Sequence, residues 1–330
     1  MHRPLVLSSL LFAACSAAPV PDPNPDVAPL ALPVNDNKPR DINENAVLLD
    51  LDKALLRYAE LLVNQGTQHG DQQIEKLEKY LRDVVLDTGA RQMAGTAARD
   101  ASWSPGDLFR RLQALAIDQS RPWQQGIALS ALGFSGRHEV MQTILQGAQL
   151  SKPELVDRAV FGLAVLKAPQ TPPGVIAAVM MNKDHPEDGR IDAAWALYQL
   201  QGASDRAAEY PKIWLGVLDE RDRMPAGVLI SAVRGLGLTR DTQYAARVAP
   251  FLQHPVPLLR CAATIALARM NAQDQWLDLL ALLEPSETNQ NVRLHARKAL
   301  AGLAGGVDHG YDLGAWRKTF NRGATAPATR

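Results

Sequence analysis

Cysteine is almost missing from this chain, with 2 in 330 residues, which excludes a disulfide framework as the source of stability. Aromatic residues make up only 5%, so the apolar fraction is mostly aliphatic, and alanine and leucine dominate its periodic parts. Net charge is missing too: 35 Lys and Arg balance 35 Asp and Glu. A neutral chain lacks the basic footprint of a nucleic-acid binder, so no nucleic-acid partner is expected. The familiar signatures of chemistry are absent as well. There is no GxSxG, no phosphate-cradling Gly-Lys-Ser/Thr loop and no GxGxxG after a strand. Seven histidines, at 2, 69, 138, 185, 254, 295 and 309, form no HxxxH pair, and no CxxC occurs. No catalytic, cofactor-binding or metal-ligating residue is assigned, and a lone Cys261 on an Ala/Leu helix reads as a small buried hydrophobe.

What is there is a repeat. Residues 259–267 read apolar-Arg-x-x-Ala-x-x-Ala-Leu, with Ala263, Ala266 and Leu267 in the last three places. The frame returns as Arg293, Ala296, Ala299 and Leu300. Upstream it appears as Ala232/Gly235/Leu236, Ala193/Ala196/Leu197, Ala159/Gly162/Leu163 and Ala128/Ala131/Leu132. Steps between first alanines are 31, 34, 39, 31 and 33 residues. Six copies of a helix with small residues at one stripe predict stacked helix pairs, because small residues are needed where a second helix comes close. Each framed helix is paired with an apolar partner helix of similar length, as 224–237 is with 244–253. Lys152-Pro153, His185-Pro186, Met224-Pro225 and His254-Pro255 turn the chain into successive framed helices, since proline is tolerated at a helix start. A chain of this length with 46% apolar residues can bury a substantial core; length alone gives about two domains.

The N-terminus reads as an address. Residues 1–14 have a charged start, the apolar run Leu5 to Phe12 and then small residues, too short to cross a bilayer. Residues 16–40 carry seven prolines and no apolar period, an extended tether reaching roughly 70 Å at ~3 Å per residue. A helical lead-in occupies 41–119. Asp41 and Glu44 have capping-box spacing, and Val47, Leu48, Leu51, Leu55, Tyr58, Ala59 and Leu62 form one stripe, ended by Gly66. Asp71 heads a second helix with Ile74, Leu77, Leu81 and Val84/Val85, stopped near Gly89. Ser104-Pro105 starts a third, with Leu108, Phe109, Leu112 and Leu115. Residues 90–102 are weakly patterned. These helices are expected to cap the N-terminal end of the repeats.

The repeat pattern resembles HEAT repeats, in particular the short bacterial kind related to phycobilisome-lyase repeats, and it covers 120–305. The family's arginine is present at Arg190, Arg260 and Arg293; its ladder partner, an acid six positions earlier, is present at Asp184 and Glu287 and replaced by His254. Gln125, Val156 and Leu229 stand where the other three units would have arginine. The tetratricopeptide pattern has a similar period, but its Trp-Leu-Gly-Tyr spacing is not in phase. Phe12-Ala13-Ala14-Cys15 resembles the lipobox of bacterial lipoproteins, which implies lipidation at Cys15 and, with Ser16 following, the outer membrane. A cut after Ser16-Ala17-Ala18, giving a soluble periplasmic protein, is the other reading. Residues 306–317 look like a recurring tail of such proteins, a turn and short helix laying Tyr311 and Trp316 on the last repeat as a cap over 306–322. A frayed tail follows at 323–330. HEAT-repeat di-iron hydroxylases repeat a His-Glu dipeptide; here it occurs once, at His138-Glu139, and one pair cannot build such a site.

The expected fold is therefore all-α: a solenoid of about six HEAT-like repeats with an N-terminal helical cap. One column bears on function. Two residues after each first alanine stand Ser130, Phe161, Trp195, Arg234, Ile265 and Lys298, a position roughly opposite the buried stripe at ~100° per residue. Phe161, Trp195, Arg234 and the neighbouring Tyr198 fit two readings: a partner-binding patch on the concave face, or packing between repeats. The expected function is a non-catalytic scaffold or adaptor on the periplasmic side of a Gram-negative envelope, without cofactor, holding an unidentified envelope protein. A lyase-like HEAT enzyme or subunit acting on a small molecule, and a structural assembly factor, are the alternatives.

Overall fold

A computed structural model describes residues 42–62, 68–86 and 107–324. The lipobox with Cys15, the tether, Asp41, Gly66, Gly89, the 90–102 stretch, Ser104-Pro105 and residues 325–330 lie outside them. The described chain is all-helical, with fifteen α-helices and no strand among those residues. It divides into two compact units, 1–204 and 205–330.

In the first unit, α1 (Ile42–Leu61) and α2 (Gln68–Val85) pair with each other, and α3 (Asp107–Ala116) packs on the first framed helix, α4 (Pro122–Leu132). All seven stripe positions from Val47 to Leu62 are buried, as are Leu108, Phe109, Leu112 and Leu115. A helix exposed on one side sorts its apolar residues by the 3.6-residue period, and these sequences carry that period cleanly. Then come α5 (Met141–Gly147), α6 (Pro153–Leu166), α7 (Pro173–Met181) and α8 (Glu187–Gln201). The framed helices α4, α6 and α8 pack in succession. The second unit holds α9 (Tyr210–Asp219), α10 (Ala226–Leu238), α11 (Ala245–Val248), α12 (Pro257–Arg269), α13 (Trp276–Ala281), α14 (Gln290–Leu303) and α15 (Leu313–Ala324). There α10, α12 and α14 pack in succession.

Every alanine and leucine of the frame, from Ala128 to Leu300, is buried. The reason is distance. A methyl group on Gly133 would run into the Gly162 carbonyl oxygen, and one on Gly162 into the Leu129 carbonyl oxygen. Backbones that close leave room for hydrogen, and in places for a methyl, but not for a branched side chain. Gly235 is under the Trp214 indole in the same sense.

The partner helices correct one expectation: they are shorter than the framed ones. The stretch expected as one helix over 244–253 is α11 followed by a 3₁₀ segment, Ala249–Gln253. Pro250 supplies no N–H and its ring opposes a continuing α-helix. His138 and Glu139 likewise sit in a single 3₁₀ turn ahead of α5.

Candidate functional site

Phe161 lies at the centre of an aromatic row in the first unit. The Tyr58 ring stands edge-on to it at 6.1 Å, Phe134 is tilted at 6.2 Å, and Trp195 stacks at 6.4 Å. Tyr58 and Phe134 meet edge-to-face at 4.9 Å, the geometry ring quadrupoles prefer. Tyr58 donates its hydroxyl hydrogen to Glu78 of α2 at 2.5 Å. Burial, then the bond to Glu78 and its charge, push the Tyr58 pKa well above the ordinary tyrosine range, so the phenol stays neutral. Beside the row, Arg158 of α6 holds Asp52 of α1 at 2.7 Å, and Ser130 donates to the Arg158 carbonyl at 3.2 Å.

These contacts decide between the two readings of the column for part of it. Ser130 is buried, Phe161 is 1% exposed and Trp195 9% exposed, so all three are packing side chains in this unit. The helical wheel of one repeat leaves their side open. Here α1 and α2 lie over α4, and Tyr58 and Asp52 reach α6, filling that side. Tyr198 keeps part of its surface, and so do Arg234 and Ile265 in the second unit, where Lys298 is exposed.

The frame arginines have a second task that the sequence signals only indirectly. Arg190 Nε donates to the Met180 carbonyl at 3.0 Å, and Arg293 Nη2 to the Leu283 carbonyl at 3.2 Å, each ten residues back. Met180 is in the last turn of α7 and Leu283 lies just beyond the end of α13, where the backbone runs out of intrahelical donors. Gln125, which stands in the arginine's place, does the same with its side-chain amide, donating to the Ala116 carbonyl at 3.0 Å. At these three positions a long donor reaches back to a carbonyl, so Gln125 is no gap in the pattern, whereas Val156 and Leu229 at the same place have no side-chain donor. Arg260 reaches forward: it grips Glu287 at 2.7 and 2.9 Å and also donates to the His254 and Pro255 carbonyls. Asp184, expected as a ladder acid, is exposed.

Histidines at the turns have local partners. His185 Nε2 donates to Asp157 at 2.8 Å, both buried, beneath Gly189, where any side chain would strike the pair. His254 Nδ1 accepts from the Val256 N–H at 3.2 Å; burial, then Arg260, hold its pKa below the usual imidazole value. Cys261 is buried. Among the described residues no group of three or more His, Cys, Asp and Glu is placed to hold a metal ion.

The C-terminal segment packs on the second unit's last helices. Trp316 is fully buried and donates Nε1–H to the Gly310 carbonyl at 3.0 Å, while Phe320 stacks on Trp276 at 5.2 Å. Tyr311 remains 46% exposed, with the Arg293 and Arg297 guanidiniums over its ring at 4.9 and 5.6 Å. Arg297 forks onto Asp308, and that bond, with one from the Gly310 N–H, takes the Asp308 pKa to about 2.

Compared with protein-family models and with curated proteins, the chain matches none.

Proposed function

We propose that this chain is a HEAT-like α-solenoid serving as a non-catalytic scaffold, tethered through a lipid on Cys15 to the periplasmic side of a Gram-negative envelope. It binds an envelope protein by shape and performs no covalent step. The observation that carries the reading is the packing of framed helices in succession within each unit, with every frame alanine and leucine buried. Repeated stacking of this kind makes an extended surface with residues on regular offsets, the usual basis of recognition by helical repeats. With Phe161 and Trp195 committed to the interior, the partner-binding residues of this proposal reduce to Tyr198 in the first unit and Arg234 in the second.

The test is a photo-crosslinking amino acid at position 198 in living cells, with exposed Glu187 of the same helix as the matched control. One envelope protein captured from 198 and not from 187 supports the scaffold reading. Crosslinks confined to the chain itself at 198 sink it. The anchor has a separate test: Cys15→Ser should move the protein from the membrane fraction to the soluble periplasmic fraction. Unchanged fractionation would end the lipoprotein proposal without touching the scaffold one.

A further inference from the structure

We propose that the C-terminal end of the second unit docks on an anionic phospholipid surface. The chain as a whole is neutral, but its charge is not evenly spread. Helices α14 and α15 together carry Arg293, Arg297, Lys298, Arg317 and Lys318, and neither helix contains an acid. The only acids between them, Asp308 and Asp312, are engaged locally. Asp308 is bound to Arg297 and to the Gly310 N–H, and Asp312 accepts from the Ala315 N–H in the first turn of α15. Lys298, Arg317 and Lys318 are exposed.

The connection between the two basic helices carries two of the large apolar side chains left in solvent, Val307 at 49% and Tyr311 at 46% exposure. An exposed aliphatic and an exposed aromatic side chain on a short loop, flanked by cations on both sides, is the arrangement that suits a bilayer interface. Tyrosine settles at headgroup depth, and each nearby Lys or Arg adds attraction to anionic lipid. The cations are distributed over two helices beside an exposed apolar loop, a combination that suits an anionic bilayer surface better than an acidic peptide. Exposed acids return in and just ahead of α13, at Asp278 and Asp274, so the acid-free helices are α14 and α15. Helix α2 shows the contrast: its exposed Lys76, Lys79 and Arg82 alternate with Asp71, Glu75, Glu78 and Asp83.

The experiment uses the full chain with Cys15→Ser, so that the proposed anchor plays no part, and measures co-sedimentation with vesicles. Vesicles of phosphatidylglycerol and phosphatidylcholine should retain the protein, and phosphatidylcholine alone should not. Raising salt to 1 M, where charges are screened within ~3 Å, should release it. The combined variant Lys298→Glu, Arg317→Glu and Lys318→Glu should weaken binding by about tenfold or more. Lys76→Glu, Lys79→Glu and Arg82→Glu, with the same change in net charge, should leave it unaltered. Tyr311→Ser should weaken binding without changing the salt dependence. Failure to bind the phosphatidylglycerol vesicles overturns the proposal, as does equal binding to phosphatidylcholine or equal loss in both charge-reversal variants. Binding to polyglutamate as tight as to vesicles would also overturn it, in favour of an acidic polypeptide partner. Thermal melts of each variant separate loss of binding from loss of fold.

Discussion

Arg260 sends Nε and Nη2 to the two carboxylate oxygens of Glu287, at 2.7 and 2.9 Å. The arginine sits in the first turns of α12, and the acid lies just ahead of α14, so the bidentate pair ties one framed helix to the approach of the next. Glu287 also accepts from the Asn289 N–H at 2.8 Å, which fixes the turn that starts α14. Both side chains are mostly out of water. Replacing Arg260 with leucine leaves a carboxylate without its partner and should cost about 3 kcal/mol. Converting both positions to leucine should recover part of that loss. A urea-unfolding double-mutant cycle measures this; additive single effects would show that the two groups do not act as a pair.

Four framed helices are followed, eight residues after the first alanine, by a residue with positive φ: Gly136 (64°), Lys167 (49°), Arg240 (57°) and Asn271 (52°). A side chain there brings Cβ too close to the following carbonyl. Lys167→Gly and Arg240→Gly should each raise stability by about 1 kcal/mol, read as a higher urea midpoint at unchanged slope. A fall in midpoint would show that the long side chains contribute more than the strain removes.

Close approach should make Gly162 intolerant and Gly216 tolerant. Gly162→Ala puts a methyl into the Leu129 carbonyl, whereas nothing lies within 4 Å of the same methyl at Gly216 of α9. The first should destabilise by about 1–3 kcal/mol through forced separation of α4 and α6. The second should stabilise by up to about 1 kcal/mol from helix propensity. Thermal denaturation of the two variants gives opposite shifts if the packing is as described.

Tyr58 supplies an alkaline test. Its folded pKa is raised, so the stability it contributes is complete below the unfolded value of 10.0 and is lost as pH climbs above that value. Tyr58→Phe keeps the ring in the aromatic row but has no proton to lose. It should be less stable at pH 7 by about 1–2 kcal/mol, for the lost bond to Glu78, and should show a smaller further loss above pH 10. Parallel pH-stability curves for the two proteins would refute the assignment.

His254 tests the acid side. Its folded pKa is lowered, so its contribution is present above the unfolded value of 6.5 and lost as pH falls below it. Protonation at Nδ1 would break the bond from the Val256 N–H and place a cation near Arg260. An asparagine can accept from the same N–H without titrating. His254→Asn should therefore match the parent protein near pH 8 and exceed it near pH 5. Equal stability at both pH values would mean the turn does not depend on the imidazole.

The helical character and the buried stripes were legible because they are local. The stripe residues read between Val47 and Leu62 and between Leu108 and Leu115 lie where a 3.6-residue period places them and are buried, while Leu49 and Leu56, off the stripe, are exposed. Leu77, expected on the α2 stripe, is only half-buried, since the width of a buried stripe depends on what packs against it. Apolar content does not reveal the lengths of the partner helices, because a proline such as Pro250 breaks an otherwise apolar stretch. The role of Gln125 is hidden for a related reason: its amide reaches the Ala116 carbonyl as the arginines reach theirs, and residue type alone does not show that reach.

The sequence by itself determined the repeat, the small residues at the helix contacts and the proline-led helix starts, because each follows from backbone geometry within about one repeat. Tertiary structure alone decided which outward position is open. Whether Phe161 meets solvent depends on Tyr58 and Asp52, roughly a hundred residues earlier, and burial is set by neighbours in space. No periodicity within a repeat carries that information.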